Sequence, residues 1–203
     1  MKKPLKVTLF IALLLIIDQI IKILVKTSMP ISSSIHIFDW FQIHFIENDG
    51  MAFGWKFGSK TVLTLFRLII SGLVLYYIIR LVKANYKIGY ILCVCLIFAG
   101  AIGNIIDCLF YGLIFSESGF AQVATLLPDG GGYGVIFNGK VVDMFYFPLF
   151  TFPNWVPLLG GEIFFSPVFN FADSCITVGI TVLILFFRKD FNQTFDEVFS
   201  KKN

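Results

Sequence analysis

Four long apolar runs divide the chain, and polar residues between and inside them set its organisation. The first, Val7–Val25, follows a short basic start, Met1–Lys6, and predicts a helix over about 5–26. It lacks the short hydrophobic stretch and small-residue cleavage site of a secretory signal peptide, so it is expected to be retained. The second run predicts a helix over 61–82, ended by Arg80 and Lys83. A basic turn, Lys83–Lys87, leads into the third, 88–111. The fourth runs from Phe171 to Phe187 and is stopped by Arg188–Lys189, giving a helix over about 171–188. Each is near the length that crosses a bilayer core of about 30 Å.

The intervening segments carry other patterns. In 27–60, Phe41, Ile43 and Phe45 alternate with Gln42 and His44, the period of a half-buried strand. Asn48–Asp49–Gly50 is a turn signal, and Met51–Phe57 is expected to return as a second strand. The result is an aromatic β platform over about 35–57 at the membrane interface, where aromatic rings concentrate. Residues 112–168 form the longest connection. Its Gly119–Gly139 part, with Pro128–Asp129–Gly130–Gly131–Gly132, reads as turn or mobile loop. Val141–Phe147 is an apolar, extended segment containing Asp143, and Pro148, Pro153, Pro157 and Pro167 prevent a long helix after it. In the tail 189–203, Phe191, Phe195, Val198 and Phe199 fall at helical spacing, predicting an amphipathic helix on the membrane face.

Composition fixes the class. With 57% hydrophobic residues and 25 Phe, the chain is too apolar for a soluble domain of its length. The expected fold is a single α-helical membrane domain, 1–203, with four transmembrane helices, an extracytoplasmic platform and a long extracytoplasmic loop. A net charge of +3 gives a nucleic-acid partner no support. The four cysteines lie in or beside apolar runs and form no C-x-x-C, so they read as small buried residues. Lys2, Lys3, Lys6, Arg80, Lys83, Lys87, Arg188, Lys189, Lys201 and Lys202 fall on one side of the four-helix arrangement, which predicts cytoplasmic termini.

Candidate chemistry lies in the polar groups that interrupt the apolar runs. Asp18 and Lys22 are spaced i,i+4 in the order that favours an ion pair. Arg67 lies within two turns of the start of the second helix, where it either snorkels or faces the bundle. Gly100, Gly103, Asn104 and Asp107 share one face of the third helix. Asn170 and Asp173 share a face at the entrance to the fourth. Intramembrane acids are costly and point to function. No H-E-x-x-H, G-x-S-x-G or glycine-rich phosphate loop is present, and no metal or cofactor is expected. What remains is paired-carboxylate chemistry, in which two close acids share a proton. Spacing leaves open which two of Asp107, Asp143 and Asp173 form the pair. It also leaves open a small proton-coupled transporter, although the inner halves of the third and fourth helices are almost purely apolar.

The set Asp18–Gln19–x–x–Lys22, Asn48–x–Gly50–x–Ala52–Phe53, Gly100–Ala101–x–Gly103–Asn104–x–x–Asp107, Val141–Val142–Asp143 and Phe169–Asn170–x–Ala172–Asp173 resembles the lipoprotein signal peptidases (signal peptidase II), in that family's order. The resemblance implies an aspartyl endopeptidase of the bacterial inner membrane; a monomer among membrane lipids is expected, and the charge count places its active site near the periplasmic face. Its substrate would be a prolipoprotein, cut just before the diacylglyceryl-modified cysteine. It implies Asp143 and Asp173 as the catalytic pair. Asn170, Asn104, Asp107, Asp18, Lys22, Asn48, Gly50 and Gly103 would support the site or bind substrate, and the platform would be the family's β-cradle. The chain departs from the pattern at Cys108, where the family usually has Arg, for which Arg67 is a candidate substitute. Its connections between acids are also longer than usual, which suggests surface insertions and a lid over the substrate groove.

Overall fold

The computed structural model describes residues 2–49 and 60–199. In chain order the elements are α1 (Lys3–Ser28), β1 (Ser34–Phe38), β2 (Phe41–Asn48), α2 (Lys60–Lys83) and α3 (Ile88–Ile106). A π-helical turn, Asp107–Tyr111, and α4 (Gly112–Ile114) then follow. After them come β3 (Val141–Tyr146), β4 (Phe150–Thr151), β5 (Ile163–Phe164), β6 (Val168–Phe169), α5 (Phe171–Phe186) and α6 (Arg188–Phe199). The chain divides into a helical unit (Met1–Gln19, Lys56–Ile106, Phe171–Asn203) and a mixed unit (Ile20–Trp55, Asp107–Asn170).

In the helical unit, Leu5, Leu9, Leu13 and Ile16 of α1 form an exposed apolar stripe at helical spacing, as do Val62, Phe66, Ile69 and Leu73 of α2. Such stripes suit lipid, since hydrocarbon imposes no penalty on exposed Leu and Ile. By contrast, α3 is buried on several faces and packs against α5 along a seam of small residues. A Cβ on Gly100 would collide with the Ala172 carbonyl, and one on Gly179 would lie 2.7 Å from Ile97 Cγ1. Glycine is what allows these backbones to meet. Among the described residues, three helices are long and apolar enough to cross a membrane: Lys3–Ser28, Lys60–Lys83 and Ile88–Ile114. The fourth expected span, α5, has only 16 residues and continues into α6 through a 92° bend. The tail is helical, and Thr194 of α6 is buried, hydrogen-bonded to Tyr77 and to Tyr90 at 2.9 Å.

The mixed unit is built on an antiparallel sheet of order β1-β2-β3-β6. The alternation at 41–45 is strand β2, and among the described residues it has two partners. Its hairpin partner is β1, on the N-terminal side, with the turn at Asp39–Trp40. Its other neighbour is β3, so Ile46 lies opposite Asp143 and Asn48 opposite Val141. The expected return strand Met51–Phe57 lies outside the described residues. The core of this unit joins Phe45, Val142 and Met144 of the sheet to Tyr111 and Phe115 at the end of the third helix. The glycine-rich segment is pinned to that helix end: Gly134 N donates to Gly112 O at 2.8 Å, Tyr133 N to Phe115 O at 2.9 Å and Leu127 N to Ile114 O at 2.7 Å. The proline-rich part forms the short β4-β5 hairpin, whose tip exposes Trp155 and Leu158.

Candidate active site

Three carboxylates singled out from the sequence sit in different surroundings. Asp107 opens the π-helical turn and is fully buried. Its Oδ2 pairs with Lys22 Nζ at 2.8 Å, the lysine also being fully buried, and accepts from Val142 N at 3.3 Å. The turn itself is locked from outside: Gly139 N donates to Cys108 O at 3.0 Å, and a side chain at Gly139 would strike the Asp107 carbonyl. π-helical turns disturb the regular ladder and recur at functional sites. This one sets Asp107 as a tie between α1 and β3, its charge matched by an ammonium.

Asp143, on β3, is 2% exposed and is held by neutral amides. Asn170 Nδ2 donates to its Oδ1 at 2.6 Å, and Asn48 Nδ2, at the end of β2, donates to its Oδ2 at 3.2 Å. The sheet explains the meeting. Asn48 ends the strand that pairs with β3, and Asn170 directly follows β6, which pairs with β3 on the other side.

In the helical unit, Asp173 lies in the first turn of α5, half-buried, and its Oδ1 accepts from Asn104 Nδ2 at 2.8 Å. The start of α5 is capped from α1. Asp18 Oδ1 accepts from Ala172 N at 2.9 Å, satisfying one of the helix's orphan N–H groups and placing negative charge at its positive end. Gln19 Nε2 donates to Asp18 Oδ2 at 3.1 Å and to Gly103 O at 3.3 Å. A Cβ at Gly103 would come within 2.6 Å of Asp18 Oδ2, so the cap depends on that glycine. The structure therefore brings together Asp18, Gly103, Asn104 and Asp173 in one unit. In the other it brings together Lys22, Asn48, Asp107, Asp143 and Asn170. Gly50 lies outside the described residues.

Beside Asp173 is a cavity of about 280 Å³. Its polar lining is Arg67, Ser71, Asn104 and Asp173, and its apolar walls are Phe66, Ile70, Ala101 and Ile176. Arg67 thus lines a cavity shared with a candidate site residue, one of the two placements open from the sequence. Two features had not been anticipated. Ser71 is buried in this cavity wall, and its hydroxyl has no partner among the described residues. In the mixed unit, Lys26 Nζ bonds Glu47 and also Ser118 Oγ at 2.9 Å, and Lys140 Nζ lies 3.2 Å from Glu47 Oε2. Burial alone would raise the Glu47 carboxyl. The Lys26 hydrogen bond and charge, the Ser118 hydroxyl and the Lys140 charge outweigh it and hold the group below the ordinary carboxylate value. The only sequence signal for this cluster was a lysine and a glutamate placed inside apolar patterns.

Comparison with known proteins gives a consistent result. The family described as signal peptidase (SPase) II matches residues 10–189. A lipoprotein signal peptidase of Porphyromonas gingivalis is 53% identical over 184 residues, covering 88% of this chain and 81% of the relative. One from Amoebophilus asiaticus is 34% identical over 194 residues, covering 90% and 78%. A bacterial membrane enzyme solved at 1.9 Å by the in meso method superposes with a TM-score of 0.62 at 25% identity, covering 91% of this chain and 94% of that one.

Proposed function

Because the chain belongs to the signal peptidase II family, we propose that it is a membrane aspartic endopeptidase that removes signal peptides from prolipoproteins, cutting just before the diacylglyceryl-modified cysteine. Asp143 and Asp173 are its catalytic pair. The observation that carries this choice is the contrast among the three acids: Asp107 is matched by the Lys22 ammonium, whereas Asp143 and Asp173 accept from side-chain amides. The amides orient both carboxylates, as two acids that share a proton require, whereas Asp107 is committed to its ion pair. Connectivity supports the pairing as well, since Asn170, bonded to Asp143, is three positions before Asp173.

In this mechanism the ionised aspartate takes a proton from water as the water oxygen attacks the scissile carbonyl carbon. The protonated aspartate gives its proton to the carbonyl oxygen, forming a neutral tetrahedral diol. Collapse breaks the C–N bond as one diol hydroxyl returns its proton to the second aspartate, and the leaving nitrogen of the lipidated cysteine takes a proton from the first. The products are a signal peptide ending in a carboxylate and a lipoprotein with a new amino terminus.

The enzyme works in the bacterial inner membrane as a monomer among lipids, with cytoplasmic termini and its reacting groups near the periplasmic face. Lys3 Nζ bonds Asn85 Oδ1 at 2.6 Å and Tyr86 O at 2.7 Å, and Lys87 Nζ bonds Asp190 Oδ1 at 3.1 Å. The chain start, the α2–α3 turn and α6 therefore gather their basic residues at one end of the helical unit, which supports that orientation. The proton-coupled transporter left open by the acids alone has no support from the relatives.

The test is cleavage of a lipidated prolipoprotein by Asp143→Asn and Asp173→Asn. Each keeps the side-chain shape, and each is expected to lower kcat by at least about a hundredfold while the protein stays in the membrane. Wild-type turnover in either variant would remove that residue from the pair.

A further inference from the structure

We infer that the cavity beside Asp173 is a subsite for the acyl-ester oxygens of the substrate's diacylglyceryl group, with the Ser71 hydroxyl as the donor that recognises them. The inference rests on the peptidase reading above and adds the part of the substrate that this cavity takes.

The starting point is a buried hydroxyl that no described protein group pairs with. Ser71 is 3% exposed, and its Oγ has no hydrogen-bond partner among the described residues. Buried hydroxyls are nearly always paired, and a serine inside a helix usually bonds back to the carbonyl one turn earlier. Ser71 does not, and it lines a cavity, so a partner arriving with a ligand would complete it.

The rest of the lining restricts that ligand. Arg67 precedes Ser71 by one helical turn, so both donors are presented on one face of α2. Asn104 donates to Asp173. Phe66, Ile70, Ala101 and Ile176 offer no side-chain polar group. A guest must therefore bring an acceptor for the Ser71 hydroxyl and few donors of its own, since the four apolar walls accept none. A free anion would have to share the cavity with the Asp173 carboxyl. An acyl ester meets the requirements: it accepts, it carries no donor, and it is neutral. Size agrees as well. At about 280 Å³ the cavity is at the small end of ligand pockets, suited to the ester region, with the acyl chains continuing along the exposed apolar residues Phe66, Ile69 and Leu73 of the same helix.

The experiment compares a diacylglyceryl-cysteine prolipoprotein peptide with its dialkyl-ether analogue, which lacks the ester carbonyls. Purified full-length wild type and Ser71→Ala are assayed in bilayers of ester-linked and, separately, ether-linked phospholipid. Wild type is expected to prefer the ester substrate by about three- to tenfold in kcat/KM, the worth of one neutral hydrogen bond. Ser71→Ala should lose that preference through KM with kcat unchanged, and Ser71→Thr, which keeps the hydroxyl, should retain it. The free Ser71→Ala protein should melt no lower than wild type, because the alanine removes an unpaired buried group. An equal ester preference in wild type and Ser71→Ala overturns the subsite, and so does a loss confined to kcat. A preference that follows the bilayer lipid rather than the substrate places a phospholipid there and overturns the assignment to substrate. Failure of wild type to cleave either lipidated peptide overturns the peptidase reading together with this one.

Discussion

At the scale of single residues, the buried ion pair of the mixed unit can be tested one partner at a time. Lys22 and Asp107 are both 0% exposed and 2.8 Å apart. Removing one partner of such a pair strands the other, which costs about 3–5 kcal/mol, whereas replacing both with apolar residues of similar volume is often near neutral. Lys22→Met should therefore lower the thermal unfolding temperature sharply, and Lys22→Met with Asp107→Leu should recover most of the loss. A double variant no more stable than the single one would show that Asp107 does more than match a charge. Glu47 gives a pH signature. Its folded carboxyl lies below the unfolded value, so its contribution to stability is complete above about pH 4.5 and disappears as pH falls through the folded value. The gap in unfolding temperature between wild type and Glu47→Gln should be constant near neutrality and close on acidification below that point. A gap that widened in acid would reverse the assigned direction.

At the scale of elements, the helices were legible because an apolar run and a basic stop are local signals. The sheet was legible only in part. Alternation at 41–45 identified β2, but strand pairing is a long-range property that no local spacing encodes. Asn48–Asp49–Gly50 is a stronger turn signal than Asp39–Trp40, yet the turn between β1 and β2 is at Asp39–Trp40. Asn48 ends β2 with its amide on Asp143, and the Gly50 of the stronger signal lies outside the described residues. The glycine face of α3 was legible, and the structure supplies its reason in the α3–α5 contact. Gly100→Ala would drive a methyl group into the Ala172 carbonyl. Because backbone on both sides must move, it should destabilise by about 1–3 kcal/mol and displace the start of α5, lowering activity as well as unfolding temperature. Gly72, where an added Cβ meets nothing within 4 Å, is the control: Gly72→Ala should leave activity unchanged and unfolding temperature equal or higher. Equal losses at the two positions would mean that close approach does not set the requirement, since alanine is the better helix former at both. Ser71 and the Glu47 cluster were beyond sequence reading, because an unpaired hydroxyl or a shared carboxylate exists only once distant segments meet.

At the scale of the whole molecule, the proposed orientation and the length of α5 together make predictions about depth. The basic residues at the chain start, in the α2–α3 turn and in α6 meet at one end of the helical unit, and the orientation proposed above has that end in the cytoplasm. A C-terminal green fluorescent protein fusion should then fluoresce, while alkaline phosphatase fused after Leu127 should be active; the opposite pair of results would invert the topology. Given that orientation, α5 sets the depth of Asp173. With 16 residues rising about 1.5 Å each, it covers roughly 24 Å, short of a core of about 30 Å. With its basic end, Arg188, at the cytoplasmic boundary, Asp173 should lie several ångströms inside the periplasmic edge rather than in water. A carboxyl at that depth needs donors from the protein, which is the part Asn104 plays. Lipid-borne quenchers at graded depths, read against a fluorophore on Ser174→Cys, should give strongest quenching just below the headgroups. Strongest quenching by a soluble quencher would put the site outside the bilayer and remove the reason for a substrate that carries its own lipid.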